Sequence, residues 1–322
     1  MASAHNHPSN PPASRNNPDV MPILPPGSWD SHVHVIDEER YAFHPDHLFR
    51  PKKASIDDLL RFEKTIGISH VCVVQVSVYK TDNRLLIDTL NELRGRGRGV
   101  VVIDPDTITS AELDALHTAG VRGVRLNLKT GGQTPNRDNL CNLLQKYARL
   151  LRPRNWALQL YLSLPQFKLI ADEIPKLSTS EGTIPVVIDH LGHPDQDRPI
   201  VEQEGYRELM DSLRRREIYI KLSATYRFPR LPDLNTYVKE VIHSAPTQIV
   251  WASDWPHTGS VEYNPGGDRT IHQNYRQVDD AGFVKQCLGW CNGNQDLVRQ
   301  IWVENPRRLW QYEEPIQQRL RL

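Results

Sequence analysis

The chain has 322 residues, with 39 Lys and Arg against 39 Asp and Glu and a formal net charge of zero when its 13 histidines are neutral. That balance excludes a generally cationic nucleic-acid binder, and no apolar run reaches the roughly 20 residues that a helical membrane span needs. At 39% hydrophobic and 24% charged residues, the composition is that of a globular protein able to bury a sizeable core.

Cys72, Cys141, Cys287 and Cys291 lack CxxC spacing, and the first residues lack the apolar core of a secretory signal. The expectation is a reducing, intracellular setting, the cytoplasm. Residues 1–26 hold Pro8, Pro11, Pro12, Pro18, Pro22, Pro25 and Pro26 among Asn, Ser and His. Burial cannot repay the ordering entropy of such a segment, so a disordered arm is expected there, with His5 and His7 read as solvated. The remaining residues, 27–322, are expected to form one domain.

From Ser28 onward, β-branched runs alternate with stretches carrying apolar residues at helical spacing. In chain order the predicted elements are strand Ser28–Val35, helix Ser55–Ile66, strand Ser69–Val78, helix Asp82–Leu93, strand Gly99–Asp104, helix Ser110–Thr118, strand Val121–Leu128 and helix Asn139–Leu151. Strand Trp156–Leu162, helix Pro165–Leu177, strand Ile184–Leu191, helix Glu202–Arg216, strand Ile218–Ser223, helix Asp233–Ser244 and strand Ile249–Asp254 follow. Ser55 and Ser110 are read as helix caps, and Gly67, Gly95 and Gly120 stand where helices should stop. Runs such as VCVVQV and PVVI suit strands buried on both faces. Eight strands alternating with helices make the expected fold class α/β, a (β/α)8 TIM barrel. An open doubly wound sheet is the competing fold, but it would want a glycine-rich turn after its first strand, where this chain has Asp37, Glu38 and Glu39. The Arg94–Gly99 run, RGRGRG, is read as a solvated turn.

In such a barrel the chemistry lies at the carboxyl ends of the strands. Strand one ends in Asp30-Ser-His32-Val-His34, and the two histidines, two apart, point the same way. Strand six ends in Asp189-His190-Leu-Gly-His193, and strand eight in Asp254-Trp-Pro-His257. Strand four supplies Arg125 and Asn127, strand five Gln159 and Tyr161, strand two Ser77, and the turn after strand seven Tyr226 and Arg227. A His-x-His pair, a third histidine and an aspartate closing three different strands would converge on one pocket.

At these residues the sequence resembles the amidohydrolase superfamily, in the branch that contains 2-pyrone-4,6-dicarboxylate lactonase and related sugar lactonases. The resemblance runs from Trp29 to Trp310 through DSHVH, VVQVSVYKTDNR, AGVRGVRLN, VVIDHLGHPD, WASDWPH and ENPRRLW. It implies hydrolysis of a lactone by water, with Asp254 as general base and His32, His34 and His190 polarising the carbonyl. His257 would orient Asp254 or the substrate, and Ser77, Arg125, Lys129, Tyr161 and Arg227 would bind substrate. No metal is expected, although His32, His34, His190 and Asp254 are suitable ligands for a single Zn²⁺ or Mn²⁺. With Gln159 and Tyr161 on strand five, a binuclear centre is not expected.

The chain departs from its relative at two carboxylate-binding positions, where an arginine is replaced by Gly131 and a tyrosine by Phe49. The expected substrate is a small-molecule lactone, pyrone-like or aromatic, with at most one carboxylate. A metal-dependent decarboxylase of an aromatic or pyrone acid, and a non-catalytic binding barrel, are the alternatives. Residues 259–278 form a late insertion, read as a lid or as a surface excursion or homo-oligomer contact, and Trp290, Trp302 and Trp310 are read as packing residues.

Overall fold

A computed structural model describes residues 24–129 and 136–313; apart from residues 24–26, the arm expected over 1–26 lies outside them. Eight strands form a sheet in sequence order, each parallel to the next. They are β1 (Trp29–Val33), β2 (His70–Val74), β3 (Gly97–Val101), β4 (Val121–Asn127), β5 (Ala157–Tyr161), β6 (Val186–Ile188), β7 (Ile218–Leu222) and β8 (Ile249–Trp251). The helices between them are α1 (Ile56–Ile66), α2 (Arg84–Glu92), α3 (Ser110–Thr118), α4 (Arg137–Leu151), α5 (Leu164–Lys168), α6 (Tyr206–Arg214) and α7 (Leu234–Ser244). Helices α8 (Asp280–Trp290), α9 (Gln295–Arg299) and α10 (Asn305–Leu309) complete the chain. This is the expected (β/α)8 barrel.

The ring closes just past β8. The Asp254 N–H donates to the His32 carbonyl at 3.0 Å and the His34 N–H to the Trp255 carbonyl at 2.9 Å. Asp30 reinforces the seam, its Oδ1 accepting the N–H groups of His32 at 3.1 Å and Ser253 at 3.0 Å. These bonds join the two ends of the eight-stranded sheet.

The period-two alternation of strands sets what fills the ring. Cys72, Val74, Val100, Ala157, Val187 and Val250 pack inside with Trp29 and Trp310. Two residues further along β5, beyond β6 and along β7, the same faces carry Gln159, Asp189 and Lys221, all fully buried. A polar layer therefore lies on top of an apolar one, with the Lys221 ammonium 5.6 Å from the centre of the Trp310 ring. Trp290, Trp302 and Trp310 are buried, as their packing role requires.

Several local expectations shift. Ser55 caps α1 through a capping box with Asp58, but the cap of α3 is Thr109, boxed with Glu112, and Ser110 is the first helical residue. Gly67, Gly95 and Gly120 all adopt positive φ. The helix expected over Pro165–Leu177 is split into α5 and a single 3₁₀ turn at Ile174–Leu177. Pro175 has no N–H for an i→i−4 bond, and it also disfavours helical geometry in the residue before it. The helix expected from Glu202 starts only at Tyr206, after Gly205 at φ 90°, where an added Cβ would lie 1.9 Å from the Leu164 carbonyl oxygen. The RGRGRG run is a turn only in its first half. A Cβ at Gly97 would lie 2.6 Å from Leu93, and one at Gly99 would lie 2.9 Å from Leu86, so these glycines in β3 admit the close approach of α2.

The late insertion contains two 3₁₀ turns, Val261–Tyr263 and Pro265–Gly267, and a two-residue strand, His272–Gln273, paired in parallel with Arg50–Pro51. The Asn264 amide donates to the Leu48 carbonyl at 3.0 Å and Arg50 to the Thr270 carbonyl at 3.0 Å. This docks the insertion against the loop after β1. No described helix is long and apolar enough to cross a membrane, and all four cysteines are free thiols.

Candidate active site

At the carboxyl ends of the strands lies a cavity of about 270 Å³. Of the residues singled out in the sequence, Asp254, His34, His190, Ser77, Arg125, Lys129, Tyr161 and Arg227 line it. His32 is buried immediately behind, its ring centre 4.8 Å from that of His34 and 4.9 Å from that of His190. His257 does not line the cavity. Its ring packs edge-on against Tyr226, and its Nε2 lies 3.0 Å from Asp280. Phe49 forms part of the wall, whereas Gly131 falls outside the described residues.

The Asp254 carboxylate has two unlike oxygens. Oδ2 accepts from the Tyr226 hydroxyl at 2.6 Å and from Arg227 at 2.7 and 3.1 Å. Oδ1 faces the Nε2 atoms of His32, His34 and His190 at 3.8, 3.7 and 3.8 Å. Burial pushes this carboxyl up, but the opposing attraction, led by the Arg227 guanidinium, outweighs it and holds it well below the usual carboxylate range. Asp254 is therefore ionised at neutral pH.

The histidine tautomers follow from their partners. Lys221 is fully buried, donating to Gln159 Oε1 at 2.8 Å and to His32 Nδ1 at 3.2 Å and forming an ion pair with Asp189 Oδ1 at 3.4 Å. With Nδ1 accepting, the proton of His32 sits on Nε2, which donates to His34 Nε2 at 3.2 Å. His34 in turn donates from Nδ1 to the Val74 carbonyl at 2.7 Å. The relay runs in one direction from Lys221 to β2. His190 differs, because its Nδ1 is hydrogen-bonded to the Ser223 hydroxyl at 2.8 Å while its Nε2 lies 3.8 Å from Asp254 Oδ1 at the cavity wall. Burial lowers His34 and His190 to about 4 and His32 well below its ordinary value, so all three are neutral at pH 7.

Beneath the histidines, Asp189 accepts from Arg125 at 2.9 Å and Gln159 at 3.1 Å through Oδ2. Burial raises Asp189, yet Lys221 and Arg125 together hold it well below the usual range. Backbone geometry marks the same region: His190, Leu191, His193, Ala224, Asp254 and His257 all adopt φ between 46° and 67°. Non-glycine residues there cost on the order of 1 kcal/mol each, a strain characteristic of functional sites.

The sequence reading passed over Lys221 and Arg276. Lys221 interrupts an apolar strand, IYIKL, and that break in pattern was its one signal. Arg276 comes from the late insertion and lines the cavity, with no local motif around it.

The donor set fits a single metal ion. His32 Nε2, His34 Nε2 and Asp254 Oδ1 lie within 4.8 Å of one another, and two imidazoles with a carboxylate suit Zn²⁺ or Mn²⁺.

A barrel that brings histidines from strands one and six beside an aspartate from strand eight defines an amidohydrolase-type centre. A family model described as Amidohydrolase matches residues 5–311, and the chain belongs to that family. It is 27% identical over 306 residues to the 2-pyrone-4,6-dicarboxylate hydrolase of Comamonas testosteroni, covering 90% of this chain and 92% of that protein. It is 24% identical over 295 residues to the 4-sulfomuconolactone hydrolase of Hydrogenophaga intermedia, covering 89% of this chain and 90% of that protein. Among solved structures, a putative 2-pyrone-4,6-dicarboxylic acid hydrolase from Pseudomonas putida superposes with a TM-score of 0.71 at 26% identity, covering 90% of this chain and 99% of that one. The chain is a hydrolase.

Proposed function

We propose that the protein opens a lactone ring by water attack, with Asp254 as general base. The observation that carries this reading is the Asp254 carboxylate, fixed through Oδ2 by Tyr226 and Arg227 while Oδ1 faces the histidine Nε2 atoms beside the cavity. The relatives named for hydrolysis of 2-pyrone-4,6-dicarboxylate and 4-sulfomuconolactone support it.

In this reaction Asp254 Oδ1 takes a proton from water as the water oxygen attacks the lactone carbonyl. The carbonyl oxygen gains negative charge, which the His190 Nε2–H stabilises. His34 is not a donor in this network, because its Nε2 accepts from His32; these two histidines hold the surface against which the water sits. Collapse of the tetrahedral intermediate breaks the ring C–O bond, and Asp254 returns its proton to the leaving oxygen. Arg125, Lys129, Tyr161 and Ser77 line the space for the rest of the ring, with Phe49 supplying an apolar wall. With no hydroxyl at Phe49, we assign a lactone with at most one carboxylate.

A single Zn²⁺ or Mn²⁺ held by His32, His34 and Asp254 would supply a bound water of lowered pKa. We favour hydrolysis without metal on charge grounds. Lys221, Arg125 and Arg227 against Asp189 and Asp254 already give the cluster a net charge of +1 with Lys221 protonated, and a divalent ion would raise it to +3. We assign the protein to a small-molecule pathway in the cytoplasm, without nucleic-acid or membrane partners.

A panel of pyrones and other lactones at neutral pH, followed by mass spectrometry, tests this reading. Products heavier by one water are expected. Products lighter by one carbon dioxide would establish a decarboxylase instead.

A further inference from the structure

Four cationic side chains line the cavity: Arg125, Lys129, Arg227 and Arg276. Two are neutralised in place, Arg125 by Asp189 at 2.9 Å and Arg227 by Asp254 at 2.7 Å. Among the described residues, neither Lys129 nor Arg276 has a carboxylate within ion-pairing distance, and Glu262 is the only cavity-lining acid besides Asp254. The cavity thus presents unpaired positive charge to its contents.

Arg276 is held in a defined position. Its N–H donates to the His257 carbonyl at 3.0 Å, and its guanidinium donates to the Tyr263 hydroxyl at 2.6 Å. The guanidinium carbon lies 4.0 Å from the Tyr263 ring centre and 5.7 Å from that of Tyr226. Its Nε is buried without a hydrogen-bond partner. An arginine at a cavity wall whose guanidinium is fixed by two aromatic rings and a hydroxyl is prepared for a planar oxyanion.

We propose that Arg276, delivered by the late insertion, is the specificity-determining residue that binds a carboxylate on the lactone. This inference rests on the lactone reading above and narrows its substrate class to lactones with one carboxylate. Tyr226 spaces the two charges, with its hydroxyl on Asp254 and its ring beneath Arg276. A substrate carboxylate on Arg276 is thereby kept off the general base. The loop that brings Phe49 to the wall also anchors the insertion, through Leu48 and Arg50. The loop that gives the pocket an apolar ring is therefore tied to the segment that supplies a guanidinium.

The test compares kcat and KM for 2-pyrone-6-carboxylate and unsubstituted 2-pyrone in the wild type, Arg276→Met and Arg276→Lys. The ratio of kcat/KM for the charged over the neutral pyrone is expected to fall 10- to 100-fold in Arg276→Met, mainly through KM, with Arg276→Lys in between. Because the ratio cancels general damage, an unchanged ratio in Arg276→Met would overturn the proposal. Binding of benzoate and benzamide, followed by ligand-observed NMR, decides the matter separately from turnover. If the wild type opened neither pyrone, the lactone reading would be in question, yet benzoate binding at least tenfold weaker in Arg276→Met would still support the anion site. Equal benzoate binding in both proteins would overturn it.

Discussion

The three histidines are chemically distinct because each has a different partner behind it. Lys221 sets His32, the Val74 carbonyl sets His34, and Ser223 sets His190. With His190 as the oxyanion donor of the proposed reaction, His190→Gln is expected to lower kcat by about 10²–10³ with little change in KM, the loss typical of one such donor. Steady-state kinetics on the best lactone checks this. Stability carries a related signature. His34 and His190 fall from 6.5 to about 4 on folding, so between those values the unfolded chain binds more protons. Their contribution to stability is therefore complete above pH 6.5 and is lost as pH falls towards 4. Urea denaturation of chelator-treated protein is expected to show lower stability at pH 5 than at pH 7; equal stability would contradict the neutral, buried histidines. Most of the site was legible because its histidines and aspartate close strands with recognisable polar motifs. Lys221 was not, since a lysine in a strand ordinarily faces water, and only the closed ring buries it beside Gln159, His32 and Asp189.

Among the elements, all eight strands were legible, several as apolar runs buried on both faces such as HVCVV and VVI, and the first by the polar motif that it carries. The helix ends depended on single residues. Two neighbouring hydroxyls, Thr109 and Ser110, compete to cap α3, and the capping box with Glu112 selects Thr109. Thr109→Ala is therefore expected to cost about 1 kcal/mol, and Ser110→Ala no more than about 0.5 kcal/mol, as measured by chemical denaturation. Pro175 and Gly205 divided helices that the apolar spacing made continuous. The proline acts through a missing donor, which sequence shows, but Gly205 acts through contact with the Leu164 carbonyl, which only the packed structure reveals. The late insertion was the least legible segment because it carries no periodic pattern, and its position comes from hydrogen bonds to the loop after β1.

At the scale of the whole molecule, ring closure and site assembly are one event. Asp30 joins the first strand to the end of the last by accepting from His32 and Ser253, and that seam sets His32 beside Asp254. Asp30→Ala leaves two buried N–H groups without this acceptor and is expected to cost roughly 2–5 kcal/mol, whereas Asp30→Asn keeps an acceptor and should cost less. Denaturant midpoints of the two variants provide the comparison. Beneath the seam, Trp310 from the last helical segment closes the inside of the ring, so the chain's final described helices support the floor on which Lys221 and Asp189 rest.

The function proposed for this assembly depends most on Asp254. The most direct measurement is kcat/KM for ring opening of the best lactone by the wild type and by Asp254→Asn, each confirmed as folded by circular dichroism. Loss of about 10³-fold or more in Asp254→Asn is expected for a general base that also relays the proton to the leaving oxygen. Activity within tenfold of the wild type would contradict the assignment of Asp254 as that base.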